Sequence, residues 1–237
     1  MKIAMVNVYY DPDLIGGVEW YIKDISSYLI RLGHEVEVYT TTGSAKTAFE
    51  NLEGVSVKRF STPVSIGYRT KVWPGVIREL RRSGCDIVHC YDYLQFQTLA
   101  TMLSTSGPRT YRASVVTVFD VQHLVPRPTY KSIPIAVADH IASGLVSRGF
   151  DRVLVRAPDL VDSLVSIGFE REKMVVTQSG VRDEFLDPGD GEAFRERHSL
   201  HGNVVMYLGR INPTKGLDYL LDACRQVMAE HPDTEMV

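Results

Sequence analysis

The shortages in this sequence exclude more than its motifs at first suggest. Three cysteines, Cys85, Cys90 and Cys224, are spread over 237 residues. They make neither a metal-ligand pair nor an even disulfide set, which fits a reducing cytosol. No apolar run approaches the ~20 residues that a membrane span needs. Met1-Lys2-Ile3-Ala4-Met5-Val6 reads as a short strand and not a signal peptide, because polar and turn-forming residues follow it. Neither sign of charge dominates: the net charge is -3 with 23% charged residues, so neither a nucleic-acid partner nor an acidic tail is indicated. There is no internal repeat, no low-complexity segment and no G-x-G-x-x-G fingerprint, and the last absence disfavours a nicotinamide cofactor. What remains is a 44% hydrophobic, globular composition, long enough for one large or two small domains and expected to be soluble and cytoplasmic.

Periodicity then predicts the elements. Ile3–Val8 is a strand buried on both faces, followed by a loop with Pro12. Gly16-Gly17-Val18-Glu19 leads into a helix whose buried stripe is Val18, Ile22, Ile25, Leu29 and Leu32, with Gly33 as its stop. Alternation over Glu35–Val38 marks a second strand, and this β-loop-α-β opening is a Rossmann-like unit. Further strands are expected at Val55–Phe60, Asp86–Asp92 (its end running out into a polar loop), Val115–Val118, Arg152–Val155 and Lys173–Thr177. Helices are expected over Gln95–Leu103, Ile135–Val146 and Asp159–Ile167, with Pro126, Pro128 and Pro134 marking an irregular loop. Lys58, Arg59, Arg69, Lys71, Arg78, Arg81 and Arg82 crowd one segment, and the last three share a helical face. That face reads either as a solvated surface or as a contact with anionic lipid headgroups.

The most informative stretch is Val204-Val205-Met206-Tyr207-Leu208-Gly209-Arg210-Ile211-Asn212-Pro213-Thr214-Lys215-Gly216. It reads as a buried strand, a sharp turn at Gly209, a polar loop, and a helix carrying Leu217, Leu220, Leu221, Cys224 and Val227 on one stripe. A helix N-terminus presents free N–H groups and a positive dipole end, and Arg210 and Lys215 add two cations, so a diphosphate suits the loop. On the residues alone, a solvated loop cation and a helix-start lysine explain the pair as well.

Gly-Arg, four residues, Lys-Gly and an apolar helix together resemble the retaining family 4 glycosyltransferases of the GT-B architecture. The resemblance implies that Arg210, Lys215 and Gly209 hold the diphosphate of a nucleotide-sugar donor. It also implies that the Gly16-Gly17-Val18-Glu19 loop lies at the interdomain cleft, Gly16 and Gly17 near the donor phosphates and Glu19 near the acceptor. Asp86-Ile87-Val88-His89 resembles a family segment whose carboxyl end faces the cleft, which makes His89 and Asp92 candidates; a core imidazole is the other reading of His89. Many members carry His-Asp where this chain has Phe119-Asp120, and that His contacts the transferred sugar. A phenyl ring cannot make the imidazole's hydrogen bond. Asp120 and, from the loop, His123 are therefore the remaining catalytic candidates there, with Phe119 a cleft residue.

The expected organisation is α/β of the GT-B type: a Rossmann-like acceptor-side domain over 1–182, a hinge over 183–202, and the start of a nucleotide-sugar-binding domain over 203–237. The family's downstream Glu-x7-Glu motif is absent, so the chain is expected to be truncated. The implied activity is sugar transfer from a nucleotide diphosphate sugar to a sugar, lipid-linked or small-molecule acceptor with retention, with no metal and no cofactor. A non-catalytic nucleotide-sugar module and another nucleotide-sugar enzyme such as an epimerase are the alternatives. Expected partners are the donor, the acceptor, an anionic membrane surface met peripherally at its inner face, and a second copy of the chain through the late apolar helix.

Overall fold

Strands rich in Val and Ile that lack polar interruptions must be covered on both faces, and parallel pairing with helical crossovers achieves this. The computed structural model describes residues 1–14, 16–45, 47–66, 70–104, 111–119, 129–209, 211 and 215–237, with side chains from 136 onward in the helix that begins at Thr129. Arg69, Asp120, His123, Pro126, Pro128 and Arg210 lie outside the described residues. The chain divides into two units, Met1–Gly180 and Val181–Val237.

In the first unit the order is β1 (Lys2–Val6), α1 (Gly17–Arg31), β2 (Glu35–Thr41), β3 (Phe49–Leu52), β4 (Val55–Phe60), β5 (Val64–Ile66), β6 (Thr70–Val72), α2 (Gly75–Leu80), β7 (Ile87–Tyr91), α3 (Phe96–Ser104), β8 (Ala113–Val118), α4 (Thr129–Gly149), β9 (Arg152–Val155), α5 (Asp159–Ser166) and β10 (Met174–Val176). Eight strands form one sheet in the order β10-β9-β8-β7-β1-β2-β4-β3, and β5 pairs separately with β6. All neighbours in the large sheet run parallel except β3 and β4.

The pleat assigns the faces. Ala4, Val6, Val88, Cys90, Val116, Val118, Val153 and Val155 enter one buried cluster with Trp73, Phe150 and Leu164. Ile3, Met5, Val36, Val38 and Tyr91 enter the other with Ile22, while Val18, Ile25 and Leu29 of α1 pack against it. Leu32 falls outside the expected stripe, at 62% exposed. The helix has already ended at Arg31, and the His34 N–H turns back to the Leu29 carbonyl at 3.0 Å. Pro134, expected in an irregular loop, lies inside α4, which begins six residues earlier than Ile135. The β3 and β5–β6 hairpin strands carry no run long enough for periodicity to find them.

The alternation in β2 suggests an exposed face, yet six of its seven residues are buried. Glu37 is the polar member of that run. Lys2 Nζ lies 3.1 Å from its carboxylate and Lys58 Nζ 3.3 Å, and the Tyr39 hydroxyl donates to it. Burial works against the charged form, but the hydrogen bonds from Tyr39 and Lys2 and the two positive charges outweigh it, so the Glu37 pKa falls below its ordinary value. Lys58 also pairs with Glu79 at 2.8 Å, and the fully buried Arg59 side chain donates to Glu50 and to the Asp11 carbonyl. Part of the basic segment thus serves inside the fold. Of the three arginines placed on a helical face, only Arg78 lies within α2. The helix stops at Leu80, and Arg81 donates to the Leu103 carbonyl at 2.9 Å.

The second unit contains α6 (Gly191–His198), β11 (Asn203–Val205), α7 (Leu217–Glu230) and β12 (Thr234–Met236). Asp190 caps α6 by accepting from the Ala193 N–H at 2.9 Å. β11 and β12 pair in parallel across α7, forming one βαβ unit. Of the α7 stripe, Cys224 is buried, whereas Leu221 and Val227 are exposed. No described helix is long and apolar enough to cross a membrane.

Glu37 supplies a pH test of the sheet. An unfolded glutamate titrates near 4.5, and the folded carboxyl titrates lower. Its contribution is therefore complete above that value and is lost as pH falls through the folded pKa. Glu37→Gln should lower Tm near pH 7 and lose less on acidification, so that the Tm difference between the two proteins shrinks as pH falls below 4.5. A constant Tm difference across that range would remove Glu37 from this role.

Candidate functional site

In an open parallel sheet the carboxyl ends of the strands are where ligands bind, because the strands' own residues are consumed by packing. The first residues beyond β7, β8, β9 and β10 are Asp92, Phe119, Arg156 and Thr177. Asp92 takes a left-handed backbone conformation (φ 69°) and its N–H donates to the Thr117 carbonyl at 2.9 Å.

His89 sits within β7. Its Nε2 lies 2.6 Å from the Thr117 hydroxyl and its Nδ1 3.3 Å from the Tyr91 hydroxyl, and its ring stacks on Tyr91 at 4.4 Å. Loss of hydration lowers its pKa to about 4. The imidazole is therefore neutral at physiological pH, with both nitrogens engaged inside the sheet.

Phe119 is built into an aromatic group. It stacks with Tyr91 at 6.3 Å and meets Tyr21 of α1 edge-on at 6.0 Å, and Tyr21 also meets Tyr91 edge-on at 6.2 Å. The Arg156 guanidinium carbon lies 4.4 Å from the Tyr21 ring centre and 5.3 Å from that of Phe119. The edge thus presents rings and one cation where the sequence resemblance would place an imidazole. Tyr21, Tyr91 and Arg156 belong to no motif; topology alone gathers them.

Gly16 and Gly17 open α1. Gly16 is the extended N-cap and offers no capping side chain, leaving first-turn N–H groups without that partner. A Cβ on Gly17 would meet nothing within 4 Å, whereas one on Gly16 would come to 3.3 Å from the Glu19 carboxylate. Glu19 complements the helix dipole from the first turn. In the second unit Lys215 is exposed immediately before α7. Gly216 caps that helix at φ 66°, a left-handed position that favours glycine. Gly209 is exposed in the turn after β11. Among the described residues no group of three or more His, Cys, Asp and Glu is placed to hold a metal ion.

The Glycosyltransferase Family 4 model matches residues 15–185, well over half of the chain. The chain belongs to glycosyltransferase family 4. This family 4 chain is 24% identical to an uncharacterized glycosyltransferase of Methanocaldococcus jannaschii, the match covering 98% of this chain and 61% of the relative. It is 25% identical to a D-inositol 3-phosphate glycosyltransferase of Catenulispora acidiphila, over 98% of this chain and 59% of the relative. Among solved structures it is similar to sucrose-phosphate synthase from Thermosynechococcus elongatus, with a TM-score of 0.75 and 16% identity, over 99% of this chain and 61% of that one. It is also similar to Anabaena HepE in complex with UDP and glucose, with a TM-score of 0.70 and 21% identity, over 100% of this chain and 60% of that one. The fold is accordingly α/β of the GT-B type, and the chain spans about 60% of the length of the curated relatives it matches.

Two outcomes follow from these placements. The His89 ring should remain neutral until pH approaches about 4; an imidazole nitrogen NMR titration showing a midpoint near the ordinary 6.5 would contradict the buried, doubly partnered geometry. Gly17→Ala meets no obstacle in the fold, so its Tm should hold or rise, reflecting the ~0.4–1 kcal/mol of stability that glycine replacement brings at a compatible position. A fall in Tm would show that the open space at Gly17 is not there.

Proposed function

We propose that the protein to which this chain belongs transfers a sugar from a nucleotide diphosphate sugar to an acceptor, with retention of anomeric configuration. The observation that carries the reading is the family match over residues 15–185. Relatives bearing the names of glycosyltransferases and a fold neighbour solved with UDP-glucose support a nucleotide diphosphate sugar as the donor class. Such a transfer passes through a cationic anomeric centre while negative charge grows on the leaving diphosphate. Cations and N–H donors fixed beside that charge lower the barrier. Lys215, Gly209 and Arg210 in the second unit, and the Gly16-Gly17 turn of the first, are proposed for this role. No metal is required on this reading, because cationic side chains take the place of a divalent ion.

Retention leaves the departing phosphate oxygens available to accept the acceptor's proton, so a protein base is dispensable. That accommodates a neutral His89 and an apolar Phe119. Asp120 and His123 remain proposed as polar groups near the transferred sugar, with Glu19, Asp92 and Phe119 on the acceptor side.

The second reading is a nucleotide-sugar-binding module without turnover. Phe119 favours it, since its ring cannot make the hydrogen bond to the sugar that an imidazole makes. Calorimetric titration with UDP-, GDP- and ADP-sugars, followed by product analysis, separates the two: donor binding without transfer selects the module. Charge-assisted hydrogen bonds contribute roughly 1.5–3 kcal/mol each, so Lys215→Ala should slow transfer by about tenfold or more. An unchanged rate would remove Lys215 from the site.

A further inference from the structure

Among the described residues of the first unit, Arg156 is a cation that faces rings and no carboxylate. Its Nε and Nη1 are buried and have no hydrogen-bond partner. Other cations of this unit have carboxylate partners: Arg59 has Glu50, although its Nη1 is also buried without a hydrogen bond, Lys58 has Glu37 and Glu79, and Lys2 has Glu35 and Glu37. Tyr21 and Phe119 face the guanidinium with their rings. Cation–π contact offsets part of the lost hydration, but it leaves the in-plane N–H groups unused. A buried donor without an acceptor is costly, and a charged one more so.

A second unpartnered polar atom lies on the neighbouring strand. Thr177 follows β10, its N–H donates to the Val155 carbonyl at 2.8 Å, and its Oγ1 is also buried without a partner. The register sets Val176 beside Val155, which carries Thr177 to the position beside Arg156. Val153 and Val155 enter the cluster opposite α1. By the two-residue repeat of the strands, Arg156 and Thr177 therefore belong to the α1 face, with Tyr21 and Phe119.

A guanidinium N–H and a hydroxyl left without acceptors beside each other, at the carboxyl edge of a parallel sheet, suit the oxygens of a tetrahedral or planar oxyanion. The geometry points to a binding site at Arg156 and Thr177 for a phosphate or carboxylate group, and, resting on the transferase reading above, that group belongs to the acceptor. Tyr21 and Phe119 form its apolar walls. The acceptor class is then an anionic small molecule such as a sugar phosphate, and a neutral sugar leaves the site unfilled.

The test uses the 237-residue chain and titrates it with inorganic phosphate, glucose 6-phosphate, glucose and UDP by calorimetry, alongside Arg156→Met, Arg156→Gln and Thr177→Val. Phosphate and glucose 6-phosphate should bind the unaltered chain, glucose should not, and both arginine variants should weaken the two anions by about tenfold or more. Thr177→Val should weaken them by a few-fold. Arg156→Met keeps the contact with both rings and deletes the unpaired charge, so its Tm should rise, whereas a purely structural arginine would lower it. UDP binding should be unaffected by Arg156→Gln. Equal phosphate binding by the unaltered and Arg156→Gln chains, or none by either, overturns the site. Loss of UDP together with phosphate assigns the anion to the donor and overturns the acceptor assignment. Anion binding that depends on Arg156 in a protein without transferase activity would leave the site standing and remove only the acceptor label.

Discussion

The fold depends on one constraint: a parallel sheet covered on both faces admits a polar side chain within its strands only where the packing supplies it a partner. Val88, Cys90, Val116, Val118, Val153 and Val155 fill one cluster to the last paired residue, so chemistry is displaced to the positions just beyond. Where a charge does enter the sheet, as at Glu37, it arrives with two lysines and a tyrosine hydroxyl. The free energy of stripping water from a carboxylate allows little else. Asp92, Phe119, Arg156 and Thr177 are what the constraint leaves at the edge, and only the last two keep buried polar atoms unpartnered.

The sheet was legible because its strands are short, β-branched and bounded by turns. Val55–Phe60 and Arg152–Val155 coincide with the expected segments, and the others agree within a few residues. β3 escaped because Phe49-Glu50-Asn51-Leu52 carries two apolar and two polar residues, too few for a period. Pro134 was misleading because proline marks a break in isolation, while the helix containing it begins upstream at Thr129. Leu32 matched the helical spacing by sequence, but the chain had already turned back through Gly33 and His34.

The site was legible only in part, and the reason is topological. Glycines and cations adjoining a helix start can be read locally, since the N–H groups they accompany are local too. Tyr21, Tyr91, Phe119 and Arg156 come from four separate places in the chain, and no spacing connects them. Phe119 read alone is the loss of an imidazole. Beside its neighbours, it is a member of an aromatic group whose faces hold a guanidinium.

That difference alters where transfer chemistry must be sought. His89 is neutral, partnered on both nitrogens and turned into the sheet, so it is poorly placed to move a proton. Phe119 cannot move one. If the protein transfers sugar, the charge that changes most is on the leaving diphosphate, and the groups able to answer it are cations and backbone N–H donors. The edge of the first unit is then selective, because rings and an unpaired guanidinium distinguish an anionic, partly apolar ligand from a neutral one. Binding specificity in the first unit and the charge stabilisation proposed for Lys215 in the second are separate physical problems.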